Sequence, residues 1–313
     1  MSFTDLKGFD SIAQNLPDDH LRANIISYFD YGLLNKGNFH NVRIPSSGQY
    51  GGTKHKLELT KDPRYTNGQV WQAYRGNWVW QSGLDTTSIQ VSGVNVNGTF
   101  YPLSTAGAYS HYVDYKNGRI IFNSAISTSA TVTAEYSYKY ANVVDANEFS
   151  FFKQLQEGSL RIDSPNFTNP SSGNWATLPE NRLQLPVIAV EVTNAHSFAP
   201  YQIGGGQWMR TKIIFHVMAE DQKQASKLAT AVAMQNDKTI STFNVGLVSQ
   251  NNRSPLDYRG SIASGALTHP QMVDAYPYRK ISFINMRPAE GQWLNAVYYV
   301  PVSCTAEVVI PNI

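Results

Sequence analysis

The feature that most constrains the fold is the succession of element types between residues 183 and 245. The run of apolar and β-branched residues at 187–192 is typical of a strand buried on both faces. A polar and glycine-containing loop is expected at 197–208, and the apolar residues at 209–220 predict a second strand. Two strands so close together predict a hairpin with a long connection.

A helix is expected directly after the second strand. Asp221 is placed to cap it, because an aspartate side chain can accept a hydrogen bond from the first backbone N–H groups of a helix. The segment at 238–248 is then expected to return as an extended strand. The apolar positions at helical spacing are Ala225, Leu228, Ala229 and Val232. Strand, loop, strand, helix and strand together predict an α+β domain.

The stretch at 185–240 resembles the tail-terminator and neck (head–tail connector) proteins of tailed bacteriophages, in which a strand similar to LPVIAVE at 185–191 leads through a loop to a second strand and a crossing helix. A second segment, DYKNGRIIF at 114–122, resembles repeated pieces of phage virion proteins. The family resemblance implies a structural protein without catalytic residues. It also implies a homo-oligomeric ring, a hexamer or dodecamer, that contacts other neck and tail proteins and joins the tail tube or sheath to the connector.

Composition agrees with a protein that works inside an assembly. Charged residues make up 15% of the 313 residues, whereas about 25% is usual, so part of the surface is expected to be covered by neighbours. The net charge of +2 does not indicate binding to nucleic acid or to a membrane surface. Cys304 is the only cysteine, so no disulfide forms within the chain. No signal peptide or membrane span is expected, and the predicted location is a virion assembled in the bacterial cytoplasm.

Three regions are predicted along the chain. Residues 1–37 are expected to form a helical arm, in which the helix begins at Pro17. This arm is expected to pack on the body of the protein or to reach a neighbouring subunit. Residues 38–147 predict a β-rich domain, sandwich- or barrel-like, and residues 148–313 predict a terminator-like sheet crossed by a helix. The apolar stripe of the helical arm is Leu21, Ile25 and Phe29. The fold class is therefore predicted to be α+β.

Finer features are predicted inside these regions. Hairpin turns are expected at Asn97-Gly98 and Asn117-Gly118, because this dipeptide suits two-residue turns. A short helix is expected at 145–157, polar loops are expected at 162–182 and 251–277, and two closing strands are expected after them.

Four aromatic residues form a conspicuous cluster, in which a period of two would place the last three on one face. Buried aromatics fill β-domain cores, whereas exposed ones bind partners or stack on sugars, so three interpretations remain open: core, subunit interface and glycan binding. The glycan interpretation supports an alternative function as a baseplate- or fibre-associated module that contacts host surface glycan. The cluster consists of Trp71, Tyr74, Trp78 and Trp80.

The glycine-rich loop is the candidate assembly interface. A phosphate-binding loop needs a following lysine and a helix, but here Gln207 and a strand follow, so a nucleotide site is not expected in this loop. Apolar residues beside the glycines are expected to insert against a neighbouring subunit. The predicted interface residues are Tyr201, Ile203, Gly204, Gly205, Gly206 and Trp208. Neither metal-ligand spacing nor a nucleophile motif is found, so no enzyme activity, metal or cofactor is expected.

Overall fold

A computed structural model describes the chain over residues 17–44, 53–73, 75–81, 88–148, 184–201, 206–294 and 297–310. The protein is mixed α+β with mostly β structure in curled sheets, which confirms the predicted class at this level. The predicted arm residues 1–16, the loop at 162–182 and most of the predicted helix at 145–157 lie outside the described residues. Of that helix, Ala146–Glu148 is a short 3-10 turn.

The first half of the chain forms nine short strands: β1 (Phe39–Val42), β2 (Lys56–Leu59), β3 (Val70–Gln72), β4 (Gly93–Val96), β5 (Thr99–Pro102), β6 (His111–Asp114), β7 (Arg119–Phe122), β8 (Val132–Thr133) and β9 (Tyr136–Lys139). Seven of them make an antiparallel sheet in the order β5-β4-β8-β2-β3-β7-β6, while β1 pairs with β9. Both predicted hairpins are confirmed, but the second connection is a four-residue loop, 115–118, and not the expected two-residue turn. At the first one, Asn97 and Gly98 both have positive φ, as a two-residue turn of type I′ requires.

The second half forms longer strands: β10 (Asn142–Asp145), β11 (Val187–Pro200), β12 (Gln207–Ala219), β13 (Thr239–Phe243), β14 (Pro277–Pro288), β15 (Gln292–Leu294) and β16 (Val297–Ile310). Their order is β10-β11-β12-β16-β14-β13, with β15 on β16. Within the described residues, four helices accompany this second sheet: α1 (Pro17–Leu34), α2 (Gln222–Ala233), α3 (Val245–Gln250) and α4 (His269–Ala275).

Helices α1 and α2 pack on one face of the second sheet and bury its main core. The predicted stripe of α1 lies in this core, where the Phe29 ring meets the Phe215 ring edge-on at 4.9 Å. All four predicted apolar positions of α2 are buried there as well, and Asp221 caps α2 by accepting a hydrogen bond from the Lys223 N–H. We call this the helix-covered face and the opposite one the open face, because no described helix packs across its centre.

The second core takes residues from the first part of the chain. Strand β10 precedes the predicted boundary at 147/148 and pairs in parallel with β11. Its residue Val143 is buried in the same core as α1. The first sheet has its own core around Trp78 and Tyr136. The three-region division stays a prediction, but β10 is a strand of the second sheet and α1 packs on that sheet.

Several local predictions were wrong. The loop expected at 197–208 is much shorter, because β11 continues to Pro200 and β12 begins at Gln207, and residues 197–200 pair with residues 207–210 across the hairpin. The extended segment at 238–248 ends at Phe243, and Asn244 then caps helix α3. The polar stretch at 251–277 contains helix α4, whose capping box joins Thr268 and Gln271. In each case tertiary pairing or a local cap decided the structure where composition had suggested otherwise.

Candidate assembly interface

The outer end of the β11–β12 hairpin is the candidate site, and we call residues 196–201 and 206–211 the distal arm. A large bulge separates it from the body: Val192 faces Ile213 and His196 faces Thr211, so residues 193–195 stand opposite a single residue of β12. Two extra residues bend and twist the strand locally. The bulge thereby sets the direction in which the distal arm leaves the core.

The base of the distal arm is fixed to helix α1. His196 Nδ1 lies 2.6 Å from the Thr211 hydroxyl, and its Nε2 lies 3.0 Å from a carboxylate oxygen of Asp18 in α1. Met209 is buried in the main core from the same part of the hairpin. The base of the arm is therefore held on two sides, so the tip is presented in a defined orientation.

The tip of the distal arm exposes aromatic surface. Phe198 is 55% exposed and Tyr201 is 39% exposed, while Trp208 is half-buried. The rings of Tyr201 and Trp208 meet edge-on at 5.0 Å, and the Tyr201 N–H donates to the Gly206 carbonyl. Such rings bury large areas at low cost in side-chain entropy and are enriched at interfaces. The tip thus has the chemistry of a protein contact.

The outer edge of the distal arm has no strand partner among the described residues. Strand β10 pairs with residues 187–190 of β11, and among the described residues no strand pairs with the same edge of β11 beyond Val190. An exposed edge presents backbone N–H and C=O groups to any strand that can approach. Its backbone groups and the aromatic side chains at its tip therefore offer two kinds of contact to a partner.

The structure brings together only part of the predicted interface. Tyr201, Trp208 and Gly206 lie at the tip as expected, and Gly206 has a φ of 103°, which an L-residue adopts only with strain. The residues Ile203, Gly204 and Gly205 lie outside the described part of the chain. Sequence reasoning missed Phe198, because a strand that continues past a bulge into an exposed segment leaves no periodic pattern.

The aromatic cluster of the first sheet is mostly core. Trp71 and Trp78 are 3% and 2% exposed, and Trp78 stacks on Tyr136 at 4.3 Å. Trp80 is partly buried against the same core, and Tyr74 lies outside the described residues. Tyr74, Trp78 and Trp80 were expected to share one face of a strand, but β3 ends at Gln72 and the backbone turns at Asn77, where φ is positive. Rings as buried as Trp71 and Trp78 cannot stack on a sugar.

One buried polar cluster joins three strands of the second sheet. His216 Nδ1 lies 2.8 Å from the Tyr299 hydroxyl, and Nε2 lies 2.9 Å from a carboxylate oxygen of Glu191. Burial lowers the pKa of His216, against the effect of Glu191, and burial raises the pKa of Tyr299 to about 12. The Glu191 carboxylate only accepts hydrogen bonds, so the neutral His216 ring carries its proton on Nε2, and Nδ1 then accepts from the Tyr299 hydroxyl. The cluster links β11, β12 and β16 and supplies no activated nucleophile.

The other described side chains that could react or bind a metal are either inert or far from one another. Burial raises the pKa of the Cys304 thiol to about 12, so the reactive thiolate is not formed at neutral pH. In the described part of the chain, no three histidine, cysteine or acidic side chains gather as metal ligands would. None of the helices described is both long and apolar enough to span a bilayer.

Comparison with known proteins gives no relative: no family model matches the chain, and a search of curated proteins finds no match.

Proposed function

We propose that this chain is a non-enzymatic structural protein of a tailed-phage particle, which forms a homo-oligomeric ring at the head–tail junction as a neck or tail-terminator component. The observation that carries the proposal is the distal arm, which has an exposed aromatic tip, a base fixed to α1 and an outer edge that no described strand pairs with. The resemblance of residues 185–240 to terminator and neck proteins and the low content of charged residues support it.

The distal arm supplies the contact between neighbouring subunits in this proposal. One subunit presents Phe198, Tyr201 and the outer edge of β11, and the next subunit covers them with a different surface. Identical subunits joined by such head-to-tail contacts close into a ring when the rotation between them divides a full turn. Burial of each exposed ring contributes roughly 1–2 kcal/mol per contact, since apolar area is worth about 25 cal/mol per Å². Repetition of that contact around a closed ring stabilises the assembly.

The fixed base of the distal arm favours a role in assembly, because an arm that is already ordered binds at a lower entropic cost than a flexible loop. A flexible segment would lose conformational entropy on binding, whereas an arm already ordered by the His196–Asp18 and His196–Thr211 contacts loses less. The bulge at 193–195 also interrupts the regular β11–β12 ladder, and a bulge that twists an edge strand is one way in which proteins limit indiscriminate edge pairing. The arm is thereby suited to one specific partner surface.

The location in the particle is tested by electron microscopy of particles that contain the chain, with gold-labelled antibody against it. We expect label at the junction between head and tail. Label on fibres or the baseplate would contradict the proposal and favour the host-binding alternative, and particles without label would contradict both. A Phe198→Ser variant supplied in place of the natural chain should give unjoined heads and tails.

The matched control for that variant is Phe100→Ser. Phe100 is also half-exposed, at 51%, and lies on β5, the edge strand of the first sheet. We expect this variant to support joined particles. If Phe100→Ser blocked joining and Phe198→Ser did not, the assembly surface would lie on the first sheet instead.

A further inference from the structure

The open face of the second sheet carries a shallow cavity of about 480 Å³, which we call the open-face cavity. It lies away from the distal arm tip, over the middle of strands β12 and β16 and near the C-terminal end of β14. Its lining residues are Lys212, Asn285, Arg287, Ser303, Cys304 and Thr305. Its volume falls in the range of small-molecule sites, roughly 300–1,000 Å³.

Strand register places the polar side chains of the cavity on one face. Lys212 faces Thr305 across β12 and β16, and Ser303 faces Arg287 across β16 and β14. Because alternate residues of a strand share a face, Ser303 and Thr305 point to the same side, whereas Cys304 between them points into the main core. The thiol of Cys304 is therefore not part of the cavity chemistry.

A bulge in β14 brings Arg287 to this face. Ile284 faces Thr305 and Arg287 faces Ser303, so β14 has one residue more than β16 over this interval. At the bulge Asn285 adopts a positive φ of 55°, and Met286 turns into the main core. Without the extra residue, simple alternation would direct Arg287 into that core. The bulge therefore adds a second cation to the cavity that Lys212 also lines.

The carboxylates on the same face are already engaged. Glu307 accepts a hydrogen bond from Arg210 Nε at 2.5 Å, and Glu191 lies 2.9 Å from His216 Nε2. No acidic side chain lines the cavity among the residues that the structure describes. The cavity thus combines one ammonium, one guanidinium, two hydroxyls and one amide, with an excess of two positive charges.

We infer that the open-face cavity binds a phosphate group, free or carried by a small molecule such as a nucleotide. A guanidinium presents paired N–H donors that match two phosphate oxygens, and an ammonium adds a compact charge. The hydroxyls of Ser303 and Thr305 and the Asn285 amide can donate to the remaining oxygens. The two positive charges match a phosphate dianion, and the cavity leaves room for an attached group.

The test is calorimetric titration of the full chain with inorganic phosphate, with ATP and with acetate at equal ionic strength. We expect phosphate and ATP to bind and acetate to bind at least about tenfold more weakly. Tighter binding of ATP than of phosphate would identify a carried phosphate, and equal binding would identify the free ion. Equal binding of acetate and phosphate, or no binding of phosphate and ATP, would overturn the inference.

Variants locate the binding. Lys212→Gln and Arg287→Gln should each weaken phosphate binding about tenfold or more, because each removes a charged hydrogen-bond donor. Both side chains are exposed, so the melting temperature should stay unchanged. Lys227→Gln is the matched control, since Lys227 is exposed on α2, on the other side of the sheet. Binding unaffected by Lys212→Gln and Arg287→Gln, or equally weakened by Lys227→Gln, would contradict a site in this cavity.

Discussion

Two buried asparagines act as substitutes for a neighbouring strand. The Asn24 amide accepts from the Phe243 N–H at 2.9 Å and donates to the Phe243 carbonyl at 3.0 Å, which satisfies the edge of β13. Asn38 pairs in the same two-way manner with the backbone of Ala141. Sequence patterns do not reveal such a role, because it depends on where a backbone edge meets a helix. These contacts tie α1 and the segment after it to the second sheet.

Replacement of Asn24 by leucine should therefore lower the free energy of unfolding. The side chain is fully buried, and Asn24→Leu leaves the N–H and C=O groups of Phe243 buried without partners. Each such group costs about 1–3 kcal/mol, so for the two groups we expect a loss of about 2–6 kcal/mol. Urea unfolding measures it. Asn251→Leu, at an exposed position, is the control and should change the value by about 0.5 kcal/mol or less. Equal effects would contradict the assigned role.

His269 should make the stability depend on pH. It lies among the rings of Tyr28, Tyr31 and Phe243, and burial lowers its pKa from the ordinary 6.5 to about 4. Between these values the unfolded chain binds a proton that the folded protein does not bind. The contribution of His269 to stability is therefore complete above pH 6.5 and is lost as pH falls toward 4.

A His269→Phe variant keeps an aromatic ring and removes this titration. We expect its melting temperature to fall less than that of the natural protein between pH 7.5 and pH 4.5. Thermal unfolding at several pH values across this interval makes the comparison. An equal fall in both proteins would show that other groups cause the acid sensitivity.

At the scale of elements, a substitution at Gly206 tests the backbone conformation at the tip of the distal arm. Because φ is 103° there, Gly206→Ala should lower stability by about 1–2 kcal/mol through backbone strain. Gly32→Ala is the opposite control: Gly32 lies inside α1, and an added Cβ would meet nothing within 4 Å. That change should raise stability by about 0.5–1 kcal/mol. Thermal unfolding of both variants measures these two changes in stability. A stabilising effect of Gly206→Ala would contradict the described turn.

Elements set by local residues were predictable, whereas elements set by pairing were not. The helix cap at Asp221 and the hairpin at Asn97-Gly98 follow from the residues themselves. The length of β11 and β12 depends on register and on β16, which pairs along the whole of β12 and lies some 90 residues further along the chain. The bulges at 193–195 and near Asn285 also follow from partner strands. The exposed Phe198 and the open-face cavity result from these bulges, so neither was predictable.

At the scale of the molecule, the second core depends on segments from the first part of the chain. A chain that begins at Ala146 would lack α1 and β10, and with them the buried side chains of Leu21, Ile25 and Phe29. Burial of one such side chain contributes about 1.5–3 kcal/mol, so their loss is comparable with the net stability of many domains, about 5–15 kcal/mol. The sequence-based division at 147/148 would instead let this fragment fold alone.

We expect the chain that begins at Ala146 to unfold without cooperativity. A chain that begins at Pro17 retains α1 and should melt in one sharp transition. Calorimetry of the two proteins makes the comparison. Cooperative unfolding of the shorter chain would contradict the structural role of α1 and β10 and support the sequence-based boundary.

The most direct test of the central proposal is the molar mass in solution, measured by light scattering over a range of concentrations. We expect the natural chain to give an integer multiple of 34.9 kDa, six or twelve for the proposed rings. The double variant Phe198→Ser, Tyr201→Ser should give 34.9 kDa and still unfold cooperatively, and Phe100→Ser should keep the mass of the natural assembly. A natural chain that stays at 34.9 kDa at every concentration, or a double variant that keeps the full assembly mass, would contradict assembly through the distal arm.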